Sequence, residues 1–582
     1  MRIKGGALIV GALAVALTAA GCSETTNDGG GGNSGENKTQ TGSISYEAAD
    51  NTGPAKAVEG ATKGGTLTIM QVADLEHLDP ARNYVNVASL TGSLIYRALN
   101  GYQEDGSGKM LLVGDLATNP GTDVNKDCKV WEFKLRDGLK YEDGSAITSK
   151  DVAYGIARSF APELNEGSHY IQGWLYPGGT YNATYKGPYE GGQMPQGIET
   201  PDDKTIKFTF PEPHCDLPYA AALPVTAPVP QAKDTKANYD LKPFSSGPYK
   251  VKSYTRDNVL ELDRNPNWDP NTDPIRNAYP DAFKLTFGLE AQQISERLVA
   301  DAPADQAAMT WQDAPPAVLP RTTAAGVVER VVKGPTQYVW YLGINNQRIT
   351  DKKVREALYY GVDRDAALKA IGGSAAGTPA STLMSPTTAG FQDYDVYNAP
   401  DTGDVNKVKE ILGGTTPPPL VLAHTNTALR TAQAEAIRAS LEKAGFKVTL
   451  KAIEATSYYD EIGRKNTPYD IYLHGWGSDW PTGSTIIPPQ YDGREIVDEG
   501  NYNLAYFNDQ SVNTEIDRIR KLPAAEQDAA WMALDKKILQ DFLPEIPLYY
   551  DATYVLHGSK VGNAFLSDSY GAFQVAKVYV KP

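Results

Sequence analysis

Apolar and polar positions along this chain follow two periods, and the second half shows both. Asp404 precedes Val405, Val408, Ile411 and Leu412, which share one face of a helix that Gly413 stops. Leu420–Ala423 reads as a buried strand. Leu429, Ala436, Ile437, Leu441 and Ala444 then recur at helical spacing up to Gly445. A strand over Phe446–Leu450, a short helix over Tyr458–Ile462 and a strand over Asp470–Leu473 follow. Further back, Thr350 is placed to cap a helix carrying Val354, Ala357 and Leu358, and Asp363 a second one ending at Gly372 and Gly373. Strands alternating with helices predict a largely parallel sheet, whose ligands bind beyond the carboxyl ends of its strands.

The first half is richer in strands and turns. Alternation predicts strands at Gly64–Ile69, Val130–Leu135, Thr205–Phe210 and Lys250–Tyr254, and a helix over about Ser89–Leu99. Thr148 and Asp151 open a helix through Tyr154 and Ile156.

One stretch combines these patterns with chemistry. YDIYLHGWGSDWP (469–481) runs an alternating strand into two glycines, two tryptophans and one carboxylate. Gly475 and Gly477 leave the backbone bare for close approach by another chain. Trp476 and Trp480 bring apolar faces beside Asp479, which suits a ligand with a cationic end and an apolar body. The same residues also fit a buried tryptophan pair with Asp479 capping a turn. Position at the carboxyl end of a strand favours the site.

At 582 residues the chain exceeds one core. The net charge of −16, without a long basic run, argues against nucleic acid as a partner. Arg2 and Lys4 precede an apolar run, Ala7–Ala20, too short to span a membrane, and small residues lead to Cys22. This describes an export signal over residues 1–21. It resembles the lipobox of bacterial lipoproteins, with Ala19 where that family usually has Leu. Cleavage makes Cys22 a lipidated N-terminus anchored to the membrane. Residues 22–63, with four glycines in a row at Gly29–Gly32 and little to bury, are expected to form a disordered tether. In an oxidising compartment the two remaining cysteines, Cys128 and Cys215, are expected to pair, worth about 4–5 kcal/mol in the chain-entropy model; two buried thiols are the alternative.

WEFKLRDGLKYEDGSAITSKDVAYG (131–155) resembles the signature region of the family 5 extracellular solute-binding proteins, the peptide-binding lipoproteins of bacterial ABC importers. GGTLTI (64–69), LDP (78–80), FTFPEP (208–213), SSGPYKV (245–251), INNQ with DKKVREALYYGVDRDAAL (344–368) and EIPLYY (545–550) extend the likeness in order. The resemblance implies an α/β, two-lobe periplasmic-binding-protein-like fold of type II. Lobe I would take residues 64–336 and 551–582, with a subdomain inserted near 96–202, and lobe II residues 337–550. Hinge crossovers would fall near Thr336–Tyr338 and Tyr550–Thr553.

The resemblance also implies a peptide ligand, a monomer, no cofactor, and an ABC permease with its ATPase subunits as partners. Asp479 matches the carboxylate that binds the ligand's α-ammonium group. The ligand backbone would add as a strand between Gly475–Gly477 and about Val85–Ser89, with Val85, Asn86 and Val87 at its edge. Trp476, Trp480, Tyr341 and Tyr549 would line the cleft. Some oligopeptide binders carry an Arg three residues before the Trp for the ligand's carboxylate; Leu473 stands there, beside His474, and leaves that end open. Other members carry nickel, sugars or opines, and a peptide-sensing receptor is a further alternative.

An enzyme is the remaining rival. Ser440-Leu441-Glu442-Lys443 has SxxK spacing, but the chain has no Ser-Asp-Asn or Lys-Thr-Gly companion, and mid-helix Ser440 reads as a helix face. His77, His169, His214, His424, His474 and His557 are scattered without metal-ligand spacing.

Overall fold

The computed structural model describes residues 42–178 and 181–582, so the export signal, Cys22 and the tether up to residue 41 lie outside the described residues. The expected tether ends earlier than residue 63. Gly42–Ile44 pairs in parallel with Met110–Gly114, and Asn51 is buried with its side-chain carbonyl accepting from the Gly114 N–H at 2.7 Å.

The first half is built on a five-stranded sheet of β1 (Thr66–Met70), β2 (Tyr249–Thr255), β3 (Val259–Arg264), β4 (Ala282–Thr286) and β5 (Ala308–Thr310), in the order β5-β1-β4-β3-β2. Leu67, Ile69, Phe283 and Leu285 alternate onto its core face, where α1 (Asn86–Ile95) packs through Leu90 and Leu94. The inserted subdomain carries α2 (Ser149–Arg158), α3 (Tyr170–Leu175) and a four-stranded sheet. α2 starts where the sequence rule places it, with the Thr148 N–H donating to Asp151 at 2.8 Å. The boundary at 202 is corrected: strand Thr205–Thr209 completes the sheet, and one apolar cluster runs from Leu99 to Val225. Cys128 and Cys215 form a disulfide within this subdomain.

The second half holds a six-stranded sheet of β6 (Val331–Ile344), β7 (Gly377–Pro379), β8 (Leu420–Thr425), β9 (Val448–Ile453), β10 (Ile471–Gly477) and β11 (Glu545–Leu556), in the order β7-β11-β6-β10-β8-β9. α4 (Lys352–Gly361), α5 (Ala428–Lys443) and α6 (Ala524–Lys537) belong to the same half. α4 is capped one residue later than expected, by Asp351 rather than Thr350, with the Asp351 carboxylate accepting from the Lys353 N–H at 2.9 Å. Ile437 and Leu441 of α5 share a core with Leu422, Ile471 and Leu473.

The sheet is mixed, which corrects the largely parallel expectation. β8 pairs in parallel with β9 and β10, whereas β6 runs antiparallel to β10 and β11, and β7 antiparallel to β11. The reason is that β6 and β11 are long crossing strands, not products of a strand–helix–strand unit. At one end Tyr554 and Leu556 pack with Met70 of the first sheet; at the other Val339, Leu342 and Ile546 join the second core. Their ladder is interrupted between Pro335 and Val339, across the expected crossover segment Thr336–Tyr338. After β11 the chain returns to the first core through Phe573, Val575 and Val578. This is the two-lobe α/β architecture. No helix among the described residues is long and apolar enough to cross a membrane.

Candidate functional site

β10 extends further than its alternating pattern predicts. Gly475, Trp476 and Gly477 continue the strand opposite Trp340, Val339 and Tyr338 of β6, so they form no turn. β8 pairs with β10 only at Ile471 and Tyr472. The register puts Tyr338 and Trp340 on the face of Gly477 and Gly475. A Cβ at Gly475 would lie 3.0 Å from the Trp340 ring, and one at Gly477 2.5 Å from the Tyr338 ring. The missing side chains therefore admit the chain's own aromatic rings.

Ser478 and Asp479 follow β10, and Asp479 meets the first half directly. Tyr84, just before α1, and Tyr170, the first residue of α3, each donate a hydroxyl hydrogen bond to one Asp479 oxygen. Both tyrosines belong to the first half and Asp479 to the second. Burial pushes the Asp479 carboxyl above its ordinary value, against the pull of the Tyr170 and Tyr84 donors. Burial, followed by the Asp479 charge, holds both phenols protonated. Tyr84 is 43% exposed and Tyr502 60%, so the Asp479 surroundings remain open to solvent on that side.

The other expected site residues divide. Trp476 directs its indole N–H to Thr485 O at 2.8 Å and packs edge-on to Tyr502 with ring centroids 5.3 Å apart. Trp480 instead enters the core of the inserted subdomain, 3% exposed, against Tyr170 (4.5 Å) and parallel to Tyr219 (6.5 Å). It bridges the halves. Tyr341 is a correction: it is fully buried in the second core, its ring tilted against His474 at 5.2 Å, with its hydroxyl donating to Leu383 O at 2.5 Å. β6 alternates, and position 341 falls on the face away from Trp340. Tyr549 lies parallel to Trp340 at 6.1 Å.

Val85, Asn86 and Val87 are a second correction. Val85 caps α1, and residues from Asn86 onward are helical, with Ser89 N already bonded to Val85 O at 2.9 Å. A helix offers no strand edge. The Asn86 amide donates to Tyr570 O at 2.9 Å, and Val85 and Val87 pack against the first core.

The structure adds Arg430, near the start of α5. Its guanidinium carbon lies 3.4 Å above the centre of the Trp340 ring, and its donors meet Gln433 (2.6 Å) and the Tyr549 hydroxyl (2.8 Å), both neutral groups. A cation in the first turn of a helix opposes the helix dipole, and that was the available sequence signal. No local pattern marks Tyr84 or Tyr170, because their nearness to Asp479 is tertiary. Asp551, on β11 at the ladder interruption, accepts from the Thr336 hydroxyl at 2.9 Å; burial pushes its carboxyl up to about 7, against the pull of Thr336 and Arg430.

Comparison with known proteins follows the same outline. A family model described as bacterial extracellular solute-binding proteins, family 5 Middle, matches residues 112–497. The periplasmic oligopeptide-binding protein OppA of Salmonella typhimurium is 24% identical over 495 residues, covering 81% of this chain and 86% of its own. The probable D,D-dipeptide-binding periplasmic protein DdpA of Escherichia coli is 24% identical over 511 residues, covering 84% and 87%. Among solved structures, clavulanic acid biosynthesis oligopeptide binding protein 2 superposes with a TM-score of 0.82 at 30% identity, covering 92% of this chain and 100% of its own.

Proposed function

This chain belongs to the bacterial extracellular solute-binding proteins, family 5, and on that premise we propose that it captures short peptides between its two lobes for an ABC importer. The observation that carries the reading is the Asp479 carboxylate, projecting from one half and met by Tyr84 and Tyr170 from the other. Such an anion suits the α-ammonium group of a peptide. A charge-assisted hydrogen bond there contributes about 1.5–3 kcal/mol. The peptide names of the matched relatives support the same class.

The far end of the ligand falls to Arg430. Gly475 lies opposite Trp340, above which Arg430 sits, and Asp479 is four residues further along. At about 3.3 Å per residue that is at most about 13 Å, because β10 ends at Gly477. An extended dipeptide or tripeptide, with a hydrogen bond at each end, spans a similar distance. Past Tyr472 the edge of β10 facing β8 pairs with no strand; Tyr458 donates to Leu473 O at 2.7 Å, and the stretch beyond it would take the ligand backbone as an added strand.

Cys22 as a lipid-bearing N-terminus would keep the protein at the extracytoplasmic face of the membrane, beside its permease. Closing of the lobes about the β6–β11 interruption would then present the loaded form. Calorimetric titration with Ala-Ala-Ala and its N-acetyl form tests the reading. Binding of the free peptide and loss of at least tenfold on acetylation is the expected result; equal affinities would overturn it.

A further inference from the structure

Tyr84 owes its place at Asp479 to two asparagines, because the helix that follows it has no cap of its own. α1 begins after Val85, whose side chain makes no hydrogen bond to the unpaired N–H groups of the first turn. Asn83 is buried and tied into α1 instead. Its amide donates to Ala88 O at 2.9 Å and to the Tyr96 hydroxyl at 2.6 Å, and its carbonyl accepts from the Ser89 hydroxyl at 3.0 Å. On the other side of Tyr84, the Asn86 amide donates to Tyr570 O at 2.9 Å. One asparagine is therefore anchored locally and the other to a segment 484 residues away.

That segment is a hairpin in which Leu566–Ser567 pairs with Ala572–Phe573, and Tyr570 lies at its tip. The tip also touches both crossing strands. Gly571 O accepts from the Thr553 hydroxyl of β11 at 2.8 Å, and Thr553 pairs with Gly334 of β6 beside the ladder interruption. Gly571 packs on the interrupted segment itself: a Cβ there would stand 2.7 Å from Gln337 Oε1 and 3.0 Å from Thr336 Cβ. Glu104, buried at the end of the strand Asn100–Glu104, holds the hairpin from a third side. Its carboxylate accepts from the Ser567 hydroxyl (2.7 Å), the Ser569 N–H (2.9 Å) and the Gln574 amide (2.6 Å). Coupling between sites is carried by rigid segments and hydrogen-bond networks of this kind.

We infer that Asn86 is a positioning residue, which sets Tyr84 against Asp479 in step with the crossing strands through the hairpin that carries Tyr570. Movement of β6 against β11 displaces the bond between Thr553 and Gly571. Tyr570, the adjacent residue, carries that displacement to Asn86 and the start of α1. Tyr84, two residues earlier, then meets or leaves the Asp479 carboxylate. Asn86 thus acts on the site through Tyr84 and not on the ligand.

The inference rests on the reading of Asp479 as the peptide site and of the lobes as mobile, and one arm of its test uses no peptide. Thr553→Val keeps the branched side chain and removes the hydroxyl at the far end of the relay. In hydrogen exchange on the full chain, amides of 85–95 should exchange at least about threefold faster in Thr553→Val and in Asn86→Ala, with α5 unchanged. Unchanged exchange over 85–95 in Thr553→Val, or a rise that extends to α5, overturns the coupling. In the second arm, Asn86→Ala should weaken Ala-Ala-Ala about fivefold in the wild-type background and less than about twofold in the Tyr84→Phe background. Equal losses in the two backgrounds overturn the positioning of Tyr84. A wild-type chain that binds no Ala-Ala-Ala rejects the peptide reading, and hydrogen exchange then decides the coupling by itself.

Discussion

The Tyr170 hydroxyl donates to Oδ2 of Asp479, joining residues 309 apart in the chain and in opposite halves. The same tyrosine ring packs on Trp480, the next residue after Asp479. One side chain therefore touches both Asp479 and Trp480 across the two halves. Tyr170→Phe keeps the ring and removes the donor. Peptide affinity should fall about tenfold, in line with one hydrogen bond to a charged group, with little change in melting temperature. Calorimetry on the variant checks this, and an unchanged dissociation constant would separate Tyr170 from the site.

Asp479 is the stronger test. Asp479→Asn keeps the shape and one oxygen to accept from a tyrosine, but removes the charge and the second acceptor. Loss of one partner of a desolvated ion pair costs about 3–5 kcal/mol, so Ala-Ala-Ala binding should weaken at least a hundredfold. The melting temperature should hold or rise, because a carboxylate pushed up by burial is a cost to the folded state.

Arg430 predicts the opposite selectivity. Arg430→Met should weaken free tripeptides at least tenfold while leaving C-terminally amidated ones nearly unchanged. Equal losses for both ligands would mean that Arg430 only braces Trp340.

Gly477→Ala tests the aromatic packing. The new methyl would meet the Tyr338 ring, and overpacking of this kind costs about 1–3 kcal/mol. Thermal unfolding should shift down by several degrees. The same substitution at exposed Gly138, which has open space around it but a left-handed backbone, should cost less.

Asp551 gives a pH signature. Its folded value of about 7 stands above the ordinary 3.8, so the folded state holds the proton longer than the unfolded one. Its contribution is full below about pH 4 and is lost as pH rises towards 7. Asp551→Asn should flatten the slope of melting temperature against pH in that window. A slope identical to wild type would assign it to other buried acids such as Asp535, also pushed up to about 7 by burial.

Local rules explain which elements were legible. The helix after Asp404 ends at Gly413, whose φ is +55°, and Tyr458–Ile462 is helical as its spacing predicts. In both cases the deciding contacts lie within a few residues. Gly475 and Gly477 predict a bare backbone open to another chain, yet they make room for Trp340 and Tyr338. Sequence reports that a side chain is missing, not what fills the space. Val85–Val87 failed as a strand edge for a related reason: α1 begins three residues earlier than its apolar run suggests, and no side-chain cap marks the start.

From its own residues the chain settles which stretches are strands and helices, to within a few residues at their ends, and carries the ordered motifs by which its family is recognised. It also singles out Asp479, because a carboxylate between two indoles is unusual in any context. Only the tertiary structure decides what Asp479 meets. Tyr84 is 395 residues away, Arg430 lies on a helix that no motif marks, and Trp480 belongs to the core of the other half. Those contacts depend on two long strands crossing between cores, and no pattern of a few residues encodes how far apart in space such distant segments come to rest.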